Sequence, residues 1–112
     1  MDYNIVVTAD AEEDLNEFIR YLLFVKKNEQ AAKNVLDDFE DAKNSLKTVA
    51  GSLNRCDNQH LQGLGYYRIN FLRHRYFMLY RIEANVVFID NIFHELQDYE
   101  NKFSNEKRIN NE

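Results

Sequence analysis

The sequence predicts an α+β fold in the element order β-α-α-β-β-β, with a helical hairpin packed on a small antiparallel sheet. Two long stretches carry apolar residues at spacings of three and four, the period of a helix with one buried face. One β-branched, aromatic segment precedes them, and three segments with strand-like patterning follow. No proline, repeat or low-complexity linker interrupts the order. The expectation is therefore a single domain over residues 1–100, followed by a polar tail, 101–112.

The first strand is expected at "YNIVVT", Tyr3–Thr8. Asp10, with Glu13 three residues on, resembles a capping box and marks the start of a helix. Ala11, Leu15, Phe18, Leu22 and Val25 form its apolar stripe. Early acids and the late Lys26 and Lys27 suit the helix dipole. Asn28 is a natural cap for the second helix, whose stripe is Ala32, Val35, Phe39, Ala42, Leu46 and Val49. Gly51 is its stop. A short connection between two such helices predicts an antiparallel hairpin. Gly51–Gly65 reads as a loop. Strands follow at Tyr66–Phe71, Tyr76–Ile82 and Val86–Phe93, with "EAN" as a tight turn before the last. The apolar run Val86–Ile89 predicts a central strand.

Composition narrows the function classes. Of 112 residues, 45% are hydrophobic and 29% charged, a globular balance. No apolar run is long enough to cross a bilayer, and the N-terminus lacks the pattern of a signal peptide. Cys56 is alone, and no Cys/His cluster has zinc-ligand spacing. A cytoplasmic protein with no cofactor and no metal is the expectation. Net charge is −5, yet residues 66–82 carry Arg68, Arg73, Arg75 and Arg81 and no acid. That window holds +4, leaving −9 for the rest, from 10 basic and 19 acidic residues. Broad nonspecific nucleic-acid binding is disfavoured, while a local positive site is not.

The opening "TADAEEDL", the helical hairpin, and the run "GYYRI…HRYFMLYRI…VVFIDNIFHELQDYE" together resemble the RelE/ParE superfamily of bacterial type II toxins. The resemblance spans residues 3–100. It implies a growth-inhibiting toxin held inactive by a cognate antitoxin protein, within a higher-order toxin–antitoxin oligomer. RelE-like members cut mRNA on the ribosome; ParE-like members inhibit DNA gyrase without catalysis. Fold alone does not separate them. The acidic balance and long hairpin tilt the expectation toward ParE-like action on gyrase. A RelE-like ribosome-dependent endoribonuclease and an inactive toxin-like binding module remain the alternatives.

If the chain is RelE-like, the resemblance points to Arg68, His74, Arg75, Tyr80, His94 and Tyr99 as catalytic candidates. Cleavage through the 2′-OH needs a base, an acid and cations around the phosphorane. Phe77 stands where RelE-like members typically place an arginine. ParE-like members commonly end in a basic or His-containing segment, a place filled here by His94, Asp98 and Tyr99. For target or antitoxin contact the candidates are Arg68, Arg73, His74, Arg75 and Arg81. An acidic antitoxin segment can add to a free sheet edge or lie in a groove. Arg68 and Arg81 fit equally well as solvent-face residues paired with acids across strands. Tyr80 and Tyr99 fit core or interface aromatics, and His94 a structural residue hydrogen-bonded to Asp98.

Overall fold

Thr8 joins the first strand to the first helix and determines how they sit on the sheet. Its backbone N–H and its hydroxyl both donate to the Ile89 carbonyl, each at 3.0 Å, while the same hydroxyl accepts from Ala11 N–H. One side chain thus caps a helix and ties its start to the sheet. The cap is therefore Thr8, where the sequence pattern pointed to Asp10; Asp10 lies inside the first turn. A tertiary partner favours Thr8 over Asp10, the stronger capping residue by intrinsic preference.

The computed structural model describes residues 2–52, 63–73 and 75–95. Strand β1 is Asn4–Val7 and helix α1 Ala9–Arg20. A π-helical turn, Tyr21–Val25, continues α1. Helix α2 is Glu29–Val49, capped by the Asn28 side chain as expected, and it runs into a 3₁₀ turn, Ala50–Ser52. Strands β2 (Tyr67–Asn70), β3 (Tyr76–Glu83) and β4 (Val86–His94) complete the order. Lys27 takes a left-handed φ of 52°, and Asn28 N–H returns to the Leu22 carbonyl to close the helix end.

The sheet order is β1-β4-β3-β2. The meander β2-β3-β4 is antiparallel as expected, and β4 is central. β1 adds parallel to β4, pairing Asn4 with Val86 through Val7 with Ile89, so the sheet is mixed. The helical hairpin between β1 and β2 carries the chain across one sheet face, which returns it in position for that pairing.

Val35, Leu46, Met78, Tyr80, Val87 and Ile89 are fully buried between the helices and this sheet face. Each such side chain contributes about 1.5–3 kcal/mol from burial. Most of both stripes is core, but Val25 is 65% exposed. The wider π turn rotates the residues after Tyr21 out of α-helical phase and puts Val25 outside. Gly51 lies beneath Tyr3: a Cβ there would fall 2.5 Å from the Tyr3 hydroxyl.

The second sheet face is also buried in part. Tyr66, Phe77, Leu79 and Phe93 form a separate apolar cluster. A β-bulge falls between the pairs Leu79–Asn91 and Tyr80–Ile89, so Asp90 is the extra residue on β4.

Candidate functional site

The four arginines of residues 66–82 divide by position. Arg68 and Arg81 are half-buried on the second sheet face; Arg73 and Arg75 are exposed in the turn between β2 and β3.

Arg68 lies flat on Phe77, its guanidinium carbon 3.8 Å from the ring centroid, and its Nε donates to Asn70. Arg81 stacks on Phe88 at 4.3 Å, donates to Asp90 at 2.8 Å, and meets Glu83 at 3.0 Å. The bulge turns the Asp90 carboxylate toward both Arg81 and the Tyr66 hydroxyl, which donates to it at 2.8 Å. Burial, then the bond to Asp90, pushes the Tyr66 phenol well above its usual range. Burial alone would lower the Arg81 value, but Asp90 and Glu83 outweigh it and keep the guanidinium charged. Cation–π stacking and ion pairing thus occupy both arginines in the sheet. For Arg81 this is the cross-strand pairing foreseen as the structural reading.

The β2–β3 turn is different. Asp38, in the middle of α2 and 1% exposed, accepts from both the Arg73 backbone N–H at 3.1 Å and its Nε at 2.9 Å. This bond raises the Arg73 value further above an already high one. Phe71 N–H donates to the Tyr76 carbonyl across the turn, and Glu95 N–H donates to the Arg75 carbonyl. Among the described residues, the turn's outward side chains are Leu72, 88% exposed, and Arg75, whose side chain is 72% exposed with a loose 3.7 Å approach to Glu95.

Among the described residues, the catalytic candidates Arg68, Arg75, Tyr80 and His94 are not gathered into one place. Tyr80 is fully buried on the helix-covered face, stacked on Tyr67, and its hydroxyl donates to the Ala50 carbonyl at 2.8 Å. Burial pushes its phenol well above the usual range. Arg68 lies on the opposite face. His94 is half-buried at the end of β4, paired across the sheet with Tyr76 and edge-on to it with centroids 5.0 Å apart, while Arg75 lies opposite Glu95. His74, Asp98 and Tyr99 lie outside the described residues. Phe77 is 1% exposed beneath Arg68, so the position matched to a ribonuclease arginine is filled by core.

Asp38, Asp90, Tyr66 and Leu72 escaped the sequence reading. Asp38 sits directly beside Phe39 of the buried stripe, the one signal that could have singled it out. Asp14 of α1 likewise accepts from Ile92 N–H and the Asn91 amide, fastening α1 to the bulged end of β4. Among the described residues, no group of three His, Cys, Asp or Glu could hold a metal ion, and no helix is long and apolar enough to cross a membrane.

A helical hairpin on a four-stranded mixed sheet is the fold this chain shares with solved ParDE and RelBE2 structures. The family model described as "ParE toxin of type II toxin-antitoxin system, parDE" matches residues 5–99, and the chain belongs to that family. Two solved structures share the fold. A chromosomal ParDE toxin–antitoxin system from P. aeruginosa superposes with TM-score 0.65 at 17% identity, over 82% of this chain and 95% of that one. The RelBE2 toxin–antitoxin complex from Mycobacterium tuberculosis gives TM-score 0.57 at 18% identity, over 84% and 99%. No curated protein matches the chain significantly in sequence.

Proposed function

We propose that this toxin arrests growth by binding DNA gyrase, with no catalysis of its own, and that a cognate antitoxin neutralises it. The observation that carries this reading is the separation of the candidate acid–base groups among the described residues. Tyr80 is buried and bonded to Ala50, and Phe77 fills the matched arginine position. A ribonuclease needs cation, acid and base within hydrogen-bond reach of one phosphate. A binding toxin needs only a presented surface, and the turn tied to α2 through Asp38 and Arg73 offers one in Leu72 and Arg75. The family-model match over most of the chain supports the same branch. The antitoxin is expected to be acidic where it meets Arg75, and to engage the edge strand β2 or a neighbouring groove.

Induced expression tests the reading. The expected result is an SOS response with accumulation of gyrase–DNA cleavage complexes. Codon-positioned mRNA cuts with an immediate translation stop, and no gyrase effect, would instead support ribosome-dependent cleavage. The Tyr76–His94 pair at one sheet end, with Arg75 in the adjoining turn, is where that chemistry would have to be sought.

A further inference from the structure

Strand β2 ends the sheet, and its outer side is open among the described strands. Phe71 N–H donates to the Tyr76 carbonyl, in the register that pairs Ile69 with Met78 and Tyr67 with Tyr80. Backbone groups of an antiparallel strand alternate between its two sides. Phe71, Ile69 and Tyr67 therefore spend theirs on β3, while Arg68 and Asn70 turn theirs outward. An outward row of N–H and C=O groups is a template for one more strand.

The two faces beside that edge differ in charge. On the second sheet face, Arg68 stacks on Phe77 and donates to the neutral Asn70, and no carboxylate meets it among the described residues. On the helix side, a groove of about 280 Å³ runs between α2 and β2. Asp41, Ala42 and Ser45 line it from α2, and Ile69, Asn70 and Leu72 from the strand and turn. The Asp38 charge in this groove is met by Arg73. Asp37 and Asp41 raise the Arg73 value further without bonding to it, so the helix side keeps an excess of negative charge. An incoming strand alternates its side chains between the same two faces. Its residue opposite Arg68 shares the face of Arg68, and the next residue, opposite Ile69, shares the groove.

We propose that β2 receives an extended antitoxin segment in which acidic and basic residues alternate. The acids lie against Arg68, and a lysine or arginine lies along the groove with its charge at Asp41. The inference rests on the antitoxin reading above and sharpens it, because a wholly acidic segment would bring like charge to Asp41. A long basic side chain can lay its stem on Ala42 and Ile69 and keep its head in water.

The test uses the full chain, made by cell-free synthesis, and end-blocked synthetic peptides as probes at low ionic strength. Val-Asp-Lys-Asp-Lys-Asp-Val places its acids on one face of a strand and its lysines on the other. It is expected to bind at least about fivefold more tightly than Val-Asp-Asp-Asp-Lys-Lys-Val, which has the same composition in blocks. Asp41→Lys, an exposed substitution, is expected to weaken the alternating peptide about fivefold. The same variant should gain affinity for the wholly acidic Val-Asp-Glu-Asp-Glu-Asp-Val. Arg68→Gln should weaken both, with an unchanged far-UV circular dichroism spectrum. Equal binding of the alternating and block peptides overturns the proposal. So do an Asp41→Lys protein that binds the alternating peptide like the wild type, and a wild type that prefers the wholly acidic peptide. No binding of the alternating peptide up to about 1 mM overturns it too. Rescue of growth by co-expressing the product of the neighbouring gene tests the antitoxin reading separately: rescue with failed peptide binding overturns the alternating segment alone.

Discussion

The second sheet face and the β2–β3 turn use the same residue type for opposite ends. On the sheet face, Arg68 and Arg81 lie flat on Phe77 and Phe88, and the Arg81 charge is met by Asp90 and Glu83. In the turn, one arginine is spent on anchorage: Arg73 is held by the buried Asp38, and Arg75 and Leu72 are displayed as a result. Charge in a sequence window therefore does not report available charge. What an arginine can reach is decided by the rings and carboxylates beside it.

The largest expected effect lies on the sheet face. Asp90→Ala removes the acceptor of both the Tyr66 hydroxyl and Arg81, leaving two polar groups without their partner. It should cost about 2–3 kcal/mol in urea unfolding. Asp90→Asn, which keeps an acceptor oxygen, should recover part of that loss. An Asp90→Ala protein as stable as the wild type would mean the arginine is not held as described.

Tyr80→Phe comes next. Losing the bond to the Ala50 carbonyl should cost about 1 kcal/mol, with growth arrest intact because the hydroxyl is in the core. Loss of arrest at normal stability would return Tyr80 to the catalytic candidates. Tyr66 and Tyr80 also predict alkaline sensitivity. Burial raises both phenols above the ordinary tyrosine value of about 10, so the folded state holds their protons longer than the unfolded state does. The stability they contribute is complete below pH 10 and falls as the pH rises beyond it. Each tyrosine adds about 1.4 kcal/mol per pH unit to that slope. Unfolding midpoints between neutral and strongly alkaline pH should show the decline, and Tyr80→Phe should make it shallower.

Arg68→Ala should cost about 0.5–1 kcal/mol through loss of the stack on Phe77. Arg75→Ala should change stability by less than about 0.5 kcal/mol, because its contact with Glu95 is a loose 3.7 Å and the side chain is exposed. Thermal unfolding ranks the two, and an inverted order would contradict the division of roles.

Much of the fold was legible because apolar period reports burial directly. Both helices, the Asn28 cap, three antiparallel strands and the central position of β4 follow from spacing. The parallel pairing of β1 was not legible, because alternation shows that a strand exists and not which neighbour it meets. Thr8 outcompeted Asp10 through a carbonyl on β4, 81 residues away. Val25 left the stripe because one π turn shifts helical phase, and no residue in "YLLFV" announces such a turn. The site was less legible for a related reason. Its anchors, Asp38 and Asp90, look like ordinary polar-face acids until the chain brings Arg73 and Arg81 to them.

Induction of the Leu72→Ser/Arg75→Ala double variant beside Arg68→Ala tests the central claim most directly, with growth followed at matched protein levels. The double variant is predicted to fold normally and lose growth arrest, while Arg68→Ala retains it despite its lower stability. Full arrest by the double variant, with arrest lost in a folded Arg68→Ala protein, would place the working surface on the sheet face and contradict the account.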